Sequence, residues 1–187
     1  GKNSLAIKIL QDGYKKILSN YEIIYSLGLI YNEIESIDLA HRYCIEALKL
    51  QPNSKNALRL NGNIFKKRNL IDDALKNFYK SLSVNKKESN NFELLLLIDI
   101  AECYLLNGEI KKAILFLEKA IKKDPNNRDA YNFLGIAYKS LGDFDRAIKF
   151  FELALNNNSE NTSPLYNMLD ILDKPIETKH MFVLKNI

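Results

Sequence analysis

The feature that most constrains this chain is a set of four columns of small and aromatic residues that recurs along it. Ala40, Ala74, Ala113 and Ala147 stand 34, 39 and 34 residues apart. Twelve positions before each anchor lies Gly28, Gly62, Ala101 or Gly135, and an aromatic follows three residues later at Tyr31, Phe65, Tyr104 and Tyr138. Seven positions after the anchors come Ala47, Ser81, Ala120 and Ala154. The columns define repeats over 21–54, 55–88, 94–127 and 128–161, with 89–93 inserted ahead of the third, which therefore runs from 89 to 127. A fixed period of this length means one supersecondary unit used over and over.

Each unit reads as two helices. Tyr131, Leu134, Ala137, Tyr138 and Leu141 recur at helical spacing, and so do Ala147, Ile148, Phe150, Phe151 and Leu155 after them. Between the halves, Gly108 and Gly142 can take the left-handed conformation that ends a helix; Asn69 can do so nearly as well, and Glu35 fits the same place less well. The runs from Gln51 to Ser54 and from Asp124 to Asn127 carry a proline that stops the second helix, then side chains that can cap the next one. Small residues let the two helices approach closely. One pair cannot bury its apolar stripe alone, so neighbours must stack on it.

The pattern resembles the tetratricopeptide repeat family. Tyr131, Leu134-Gly135, Tyr138, Ala147, Phe151 and Ala154 follow its signature closely, departing at Ser159, where the family has proline. The third repeat offers Leu97, Ile100-Ala101, Tyr104, Ala113, Leu117, Ala120 and Pro125; the first has Leu27-Gly28, Tyr31, Ala40, Ala47 and Pro52, with Cys44 in the aromatic column. The second diverges most, with Asn61, Ser81 and Lys86 at Leu, Ala and Pro positions. The resemblance implies an all-α, right-handed α-solenoid of antiparallel helix pairs. Counting back one period makes residues 1–20 the second helix of a truncated repeat, which predicts a piece of a longer protein. Leu165, Met168, Leu169 and Leu172 continue a first-helix pattern, and residues 162–187 are expected to form a terminal capping helix and tail.

Composition excludes several function classes. The longest apolar run, residues 94–98, is five residues, against the roughly 20 of a membrane span. Cys44 and Cys103 lack disulfide or zinc spacing and are expected to be buried, inert thiols. Gly1 stands where a complete chain has Met, which predicts a cut or processed piece; no secretory pattern opens it, and the address of the full protein is left open with the cytoplasm favoured. Lysine outnumbers arginine 22 to 5, beside 22 Asn and 21 Ile, a bias that points to AT-rich coding and to lysines on solvated faces. The net charge of +4 is thin for nucleic acid, and Lys66-Lys67-Arg68 has no interleaved exposed aromatics. No phosphate loop, His-Glu-x-x-His or nucleophile elbow occurs, and His41 and His180 lack companions at ligand spacing. Catalytic residues, metal and cofactor are all expected to be absent.

Family members line a concave groove with their first helices. The inward residues are those off the packing columns: Tyr25, Leu29 and Asn32; then Asn56, Arg59, Asn63 and Lys66; then Leu95, Ile98, Glu102 and Leu105; then Asp129, Asn132, Ile136 and Lys139. Chaperone-tail clamps of the family need Lys and Asn, then Asn, then Lys and Arg. One frame gives Arg59 and Asn63, Glu102, then Asn132 and Ile136; the other gives Tyr25 and Leu29, Asn63, then Ile98 and Glu102. Both fail, and Glu102 would repel a carboxylate, so chaperone C-terminal tails are not the expected ligand. The second repeat carries nine basic and three acidic residues. The expected partner is therefore another protein, a peptide or helix with an acidic residue against Arg59 and Lys66 and an apolar stretch on Ile98 and Ile136. The alternative is a docking or regulatory arm of an enzyme whose catalytic domain lies elsewhere.

Overall fold

In the computed structural model, the columns become helix pairs. The structure describes residues 2–17, 19–84, 90–155 and 162–172. Ten helices occur among them and no strand, in two compact units, Gly1–Ser89 and Asn90–Ile187. The fold is an all-α helical repeat solenoid.

The first unit holds α1 (Lys2–Lys16), α2 (Tyr21–Glu33), α3 (Ile37–Leu50), α4 (Lys55–Lys67) and α5 (Ile71–Ser83). Helix α2 pairs with α3 and α4 with α5, while α1 stacks on α2 and α3 on α4. The anchors Ala40, Ala47, Ala74 and Ser81 are fully buried, and the Ser81 hydroxyl donates to the Lys55 carbonyl at 3.0 Å instead of going unpaired. Around them pack Ile24, Leu27, Tyr31, Tyr43, Cys44, Leu60 and Ile64.

The second unit holds α6 (Asn90–Leu106), α7 (Ile110–Lys123), α8 (Arg128–Ser140), α9 (Phe144–Leu155) and α10 (Ser163–Leu172). Here α6 pairs with α7 and α8 with α9; α7 stacks on α8 and α9 on α10. At 17 residues, α6 exceeds α8 by four, so the inserted segment extends the first helix of its repeat. The inserted asparagines suggest a cap at Asn90 or Asn91, but both lie inside the helix. Helix α10 also differs in register. Pro164, Met168 and Ile171 are buried, whereas Leu165 and Leu169 of the expected stripe are exposed. The spacing of four and three that α10 turns toward α9 and α8 runs through 164, 168 and 171, one of two overlapping apolar stripes. The tail at 176–187, with its expected capping helix, lies outside the described residues.

All four intra-repeat turns share one geometry. Glu35, Asn69, Gly108 and Gly142 have φ of 60°, 59°, 75° and 75°. The following amide reaches back to the aromatic column each time: Ser36 to the Tyr31 carbonyl at 2.9 Å, Leu70 to Phe65 at 2.9 Å, Glu109 to Tyr104 at 2.8 Å and Asp143 to Tyr138 at 3.0 Å. These are Schellman closures that satisfy the last helical carbonyls. First helices begin on side-chain caps, with Asn20, Ser54 and Asn127 accepting from the amides of Ile23, Ala57 and Ala130.

Candidate functional site

In the first unit the expected groove residues sit on α2 and α4, first helices that touch each other. Leu29 is 41% exposed and Asn56 is exposed, while Arg59, Asn63 and Lys66 are half-buried on one face of α4. Tyr25 is half-buried and stacked on Tyr21 at 5.7 Å. Burial pushes its phenol up to about 12; the neighbouring Tyr21 adds to that, and the positive charge of Arg59 opposes it. Arg59 is thus within electrostatic reach of Tyr25 across the α2–α4 contact, and it shares its face of α4 with Asn63. Lower down, Lys67 donates to the Asn32 carbonyl at 2.7 Å, and Arg68 pairs with Asp38 at 2.6 Å, so two of the cations are engaged between repeats.

In the second unit the expectations fare differently. Ile98 is 7% exposed, so it is a packing residue and not an open groove position. The cause is visible in α6, where Leu94, Leu96, Leu97, Ile98, Asp99 and Ile100 are all buried, leaving no consistently open face along this stretch. Glu102 is half-buried. Asn132 and Lys139 of α8 are joined to α10: the Asn167 amide donates to Asn132 at 3.3 Å, and Lys139 meets Asp170 at 3.1 Å. Ile136 packs against the α9–α10 core. Among the described residues, no group of three or more His, Cys, Asp or Glu could hold a metal, and no helix is long and apolar enough to cross a membrane.

Cys44 and Cys103 are buried, and neither is in a disulfide. Burial pushes the Cys44 thiol up to about 12, and it donates to the Ala57 carbonyl at 3.3 Å, which leaves it no thiolate at neutral pH.

A second aromatic column, not among the four that define the repeats, follows the first at a step of twelve residues. Tyr43, Phe116 and Phe150 lie twelve residues after Tyr31, Tyr104 and Tyr138, and each pair sits 5.4 to 5.7 Å apart between ring centroids. The second repeat is the exception. Asn77 occupies the column there, and Asn61 donates to it at 2.9 Å. Counting the twelve-residue step in the sequence would have found this column.

The tetratricopeptide repeat profile matches residues 21–54 and 104–169. This chain belongs to the tetratricopeptide repeat family. Curated tetratricopeptide relatives include BBSome complex member BBS4 of Bos taurus, 28% identical over 167 residues, or 89% of this chain and 31% of that protein. Anaphase-promoting complex subunit 3 of Schizosaccharomyces pombe is 23% identical over 158 residues, covering 84% of this chain and 23% of that protein. The chain thus spans a third or less of the length of these relatives. Among solved structures, PilF of Pseudomonas aeruginosa superposes with a TM-score of 0.75 at 12% identity, covering 92% of this chain and 78% of the other. At that identity the likeness speaks for the fold alone.

Proposed function

We propose that this chain is a protein-interaction module of a larger assembly, and that the α2–α4 face of its first unit takes an acidic segment of a partner. Repeat scaffolds of this family typically serve protein–protein interaction, and two of the relatives are named as members of multi-protein complexes. The observation that carries the finer reading is that Arg59, Asn63 and Lys66 share one face of α4, the helix that touches α2 with its Tyr25 and Leu29. A guanidinium can hold a carboxylate with two parallel bonds, and an amide can both donate to and accept from a peptide backbone. The apolar part of the expected ligand is not retained, because Ile98 is buried and Ile136 packs against the core.

The test is to capture the partner from native lysate, identify it, and titrate it against the wild-type chain and Arg59→Glu/Lys66→Glu. At least a tenfold loss of affinity, about 1.4 kcal/mol, is expected with thermal stability nearly unchanged. Equal affinity for both chains would remove the α2–α4 face as the site.

A further inference from the structure

The outer side of α8 carries an apolar cleft. About 450 Å³ in volume, it lies between α7 and α9 with α8 as its floor. Phe150 stacks on Tyr131 at 6.2 Å and on Tyr138 at 5.4 Å, forming a ladder of three rings, none of them fully buried. Leu153 continues the α9 wall and is 37% exposed. Lys122 on α7 and Lys149 on α9 are exposed at the rim, and Glu118 stands one turn from Lys122. The α7 wall is thus close to neutral, and the α9 wall of the cleft is positive at Lys149.

The second repeat holds polar residues at three of these positions and keeps Leu58 and Phe65 at those of Tyr131 and Tyr138. Asn61 stands for Leu134, Asn77 for Phe150 and Lys80 for Leu153. The two amides bond to each other, and the α4–α5 pair forms with a polar outer seam. A helix pair therefore forms without an aromatic at the Phe150 position, and three half-exposed rings in a preformed hollow suit recognition of an apolar group.

We propose that this outer cleft binds a partner segment that inserts an aromatic or large aliphatic side chain onto the Tyr131–Phe150–Tyr138 ladder and sets a neighbouring carboxylate against Lys149. The apolar lining selects the side chain, and the charge difference between the walls selects the acid and its direction, because a carboxylate near Glu118 is repelled. Its residues belong to the second unit, whereas the α2–α4 face belongs to the first.

A random 12-residue peptide library displayed on phage, selected on the immobilised chain, supplies the probe. Enriched peptides are then synthesised and titrated by fluorescence anisotropy against four chains: wild type, Phe150→Asn/Leu153→Lys, Lys149→Glu and Arg59→Glu/Lys66→Glu. The expected result is a motif of Phe, Tyr, Trp or Leu beside Asp or Glu. Such peptides should bind the first two variants at least tenfold more weakly and the third as tightly as wild type. Lys149 is exposed, so its variant reports on the cleft even if the double replacement on α9 fails to fold. Unchanged affinity for both cleft variants, or a selection that enriches nothing, overturns the proposal. Loss confined to Arg59→Glu/Lys66→Glu also overturns it and assigns the peptides to the α2–α4 face. Concentration-dependent self-association that Phe150→Asn/Leu153→Lys abolishes would make the occupant a second copy and overturn it too.

Discussion

A methyl group built on Gly135 would stand 2.3 Å from the Phe151 ring, and one on Gly62 would stand 2.5 Å from Phe78. At Gly28 the nearest atom is a Leu60 methyl at 3.2 Å, because Cys44 replaces the phenylalanine sixteen residues on. The third repeat has Ala101 with Leu117 at the same two places, both fully buried. Small and large residues are therefore matched pair by pair across each helix hairpin. Gly135→Ala should destabilise the chain by about 1–3 kcal/mol through overpacking. Adding Phe151→Leu should recover part of that loss, since it recreates the third-repeat pair. Urea unfolding of the single and double variants gives the coupling, and strict additivity would refute the matching. Glu35 carries the opposite kind of misfit, a side chain held at φ 60° where two other repeats use glycine. Glu35→Gly should therefore stabilise by about 1 kcal/mol, read as a higher urea midpoint at unchanged slope.

At the scale of helices, His41 on α3 is the link most exposed to pH. It faces the Phe65 ring at 5.5 Å and Arg68 at 3.3 Å, and its Nε2 is buried with no partner among the described residues. Burial holds its pKa below the ordinary value of 6.5; Arg68 lowers it further, and Asp38 works against both. The folded chain then takes up this proton less readily than the unfolded one. The contribution is fully present above pH 6.5 and is lost as pH falls from there through the lower pKa of the folded chain. Wild type should lose more thermal stability than His41→Gln between pH 7.5 and 5.5, and parallel curves would show that His41 is not responsible. Helix packing was otherwise well encoded in the sequence: every Ala anchor is buried, and Ser54 and Asn127 cap as their positions suggested. Periodicity failed where it was degenerate. Along residues 94–98 every position is apolar, so spacing could not tell that Ile98 is covered, and α10 carries two overlapping stripes of which only one is buried. Of the aromatic ladder, Tyr131 and Tyr138 were legible as repeat positions, whereas Phe150 stands in a second aromatic column, and nothing in the spacing marked the cleft they line as open.

Across the molecule, helices of a repeat array are held only by their neighbours, so opening is local and its free energy varies along each unit. In the first unit, α4 buries Ala57, Leu58, Leu60 and Ile64, whereas α1 leaves Leu5 and Ile9 at 63% and 62% exposed. In the second, α8 buries Ala130, Leu134 and Ala137, whereas Tyr166 on α10 is 68% exposed. Backbone amides in α1 and α10 should therefore exchange with deuterium well before those of α4 and α8, each compared within its own unit. Mild denaturant should erase the difference only for amides that open globally. The same gradient bears on recognition. Arg59 and Asn63 lie on α4, and the ladder rests on α8, so both candidate surfaces are carried by the helices expected to open last. A ligand there meets a preformed surface and pays little ordering entropy. If α1 and α4 instead exchange with one common free energy, the first unit opens as a single body. The α2–α4 face would then be no more pre-organised than the rest of that unit.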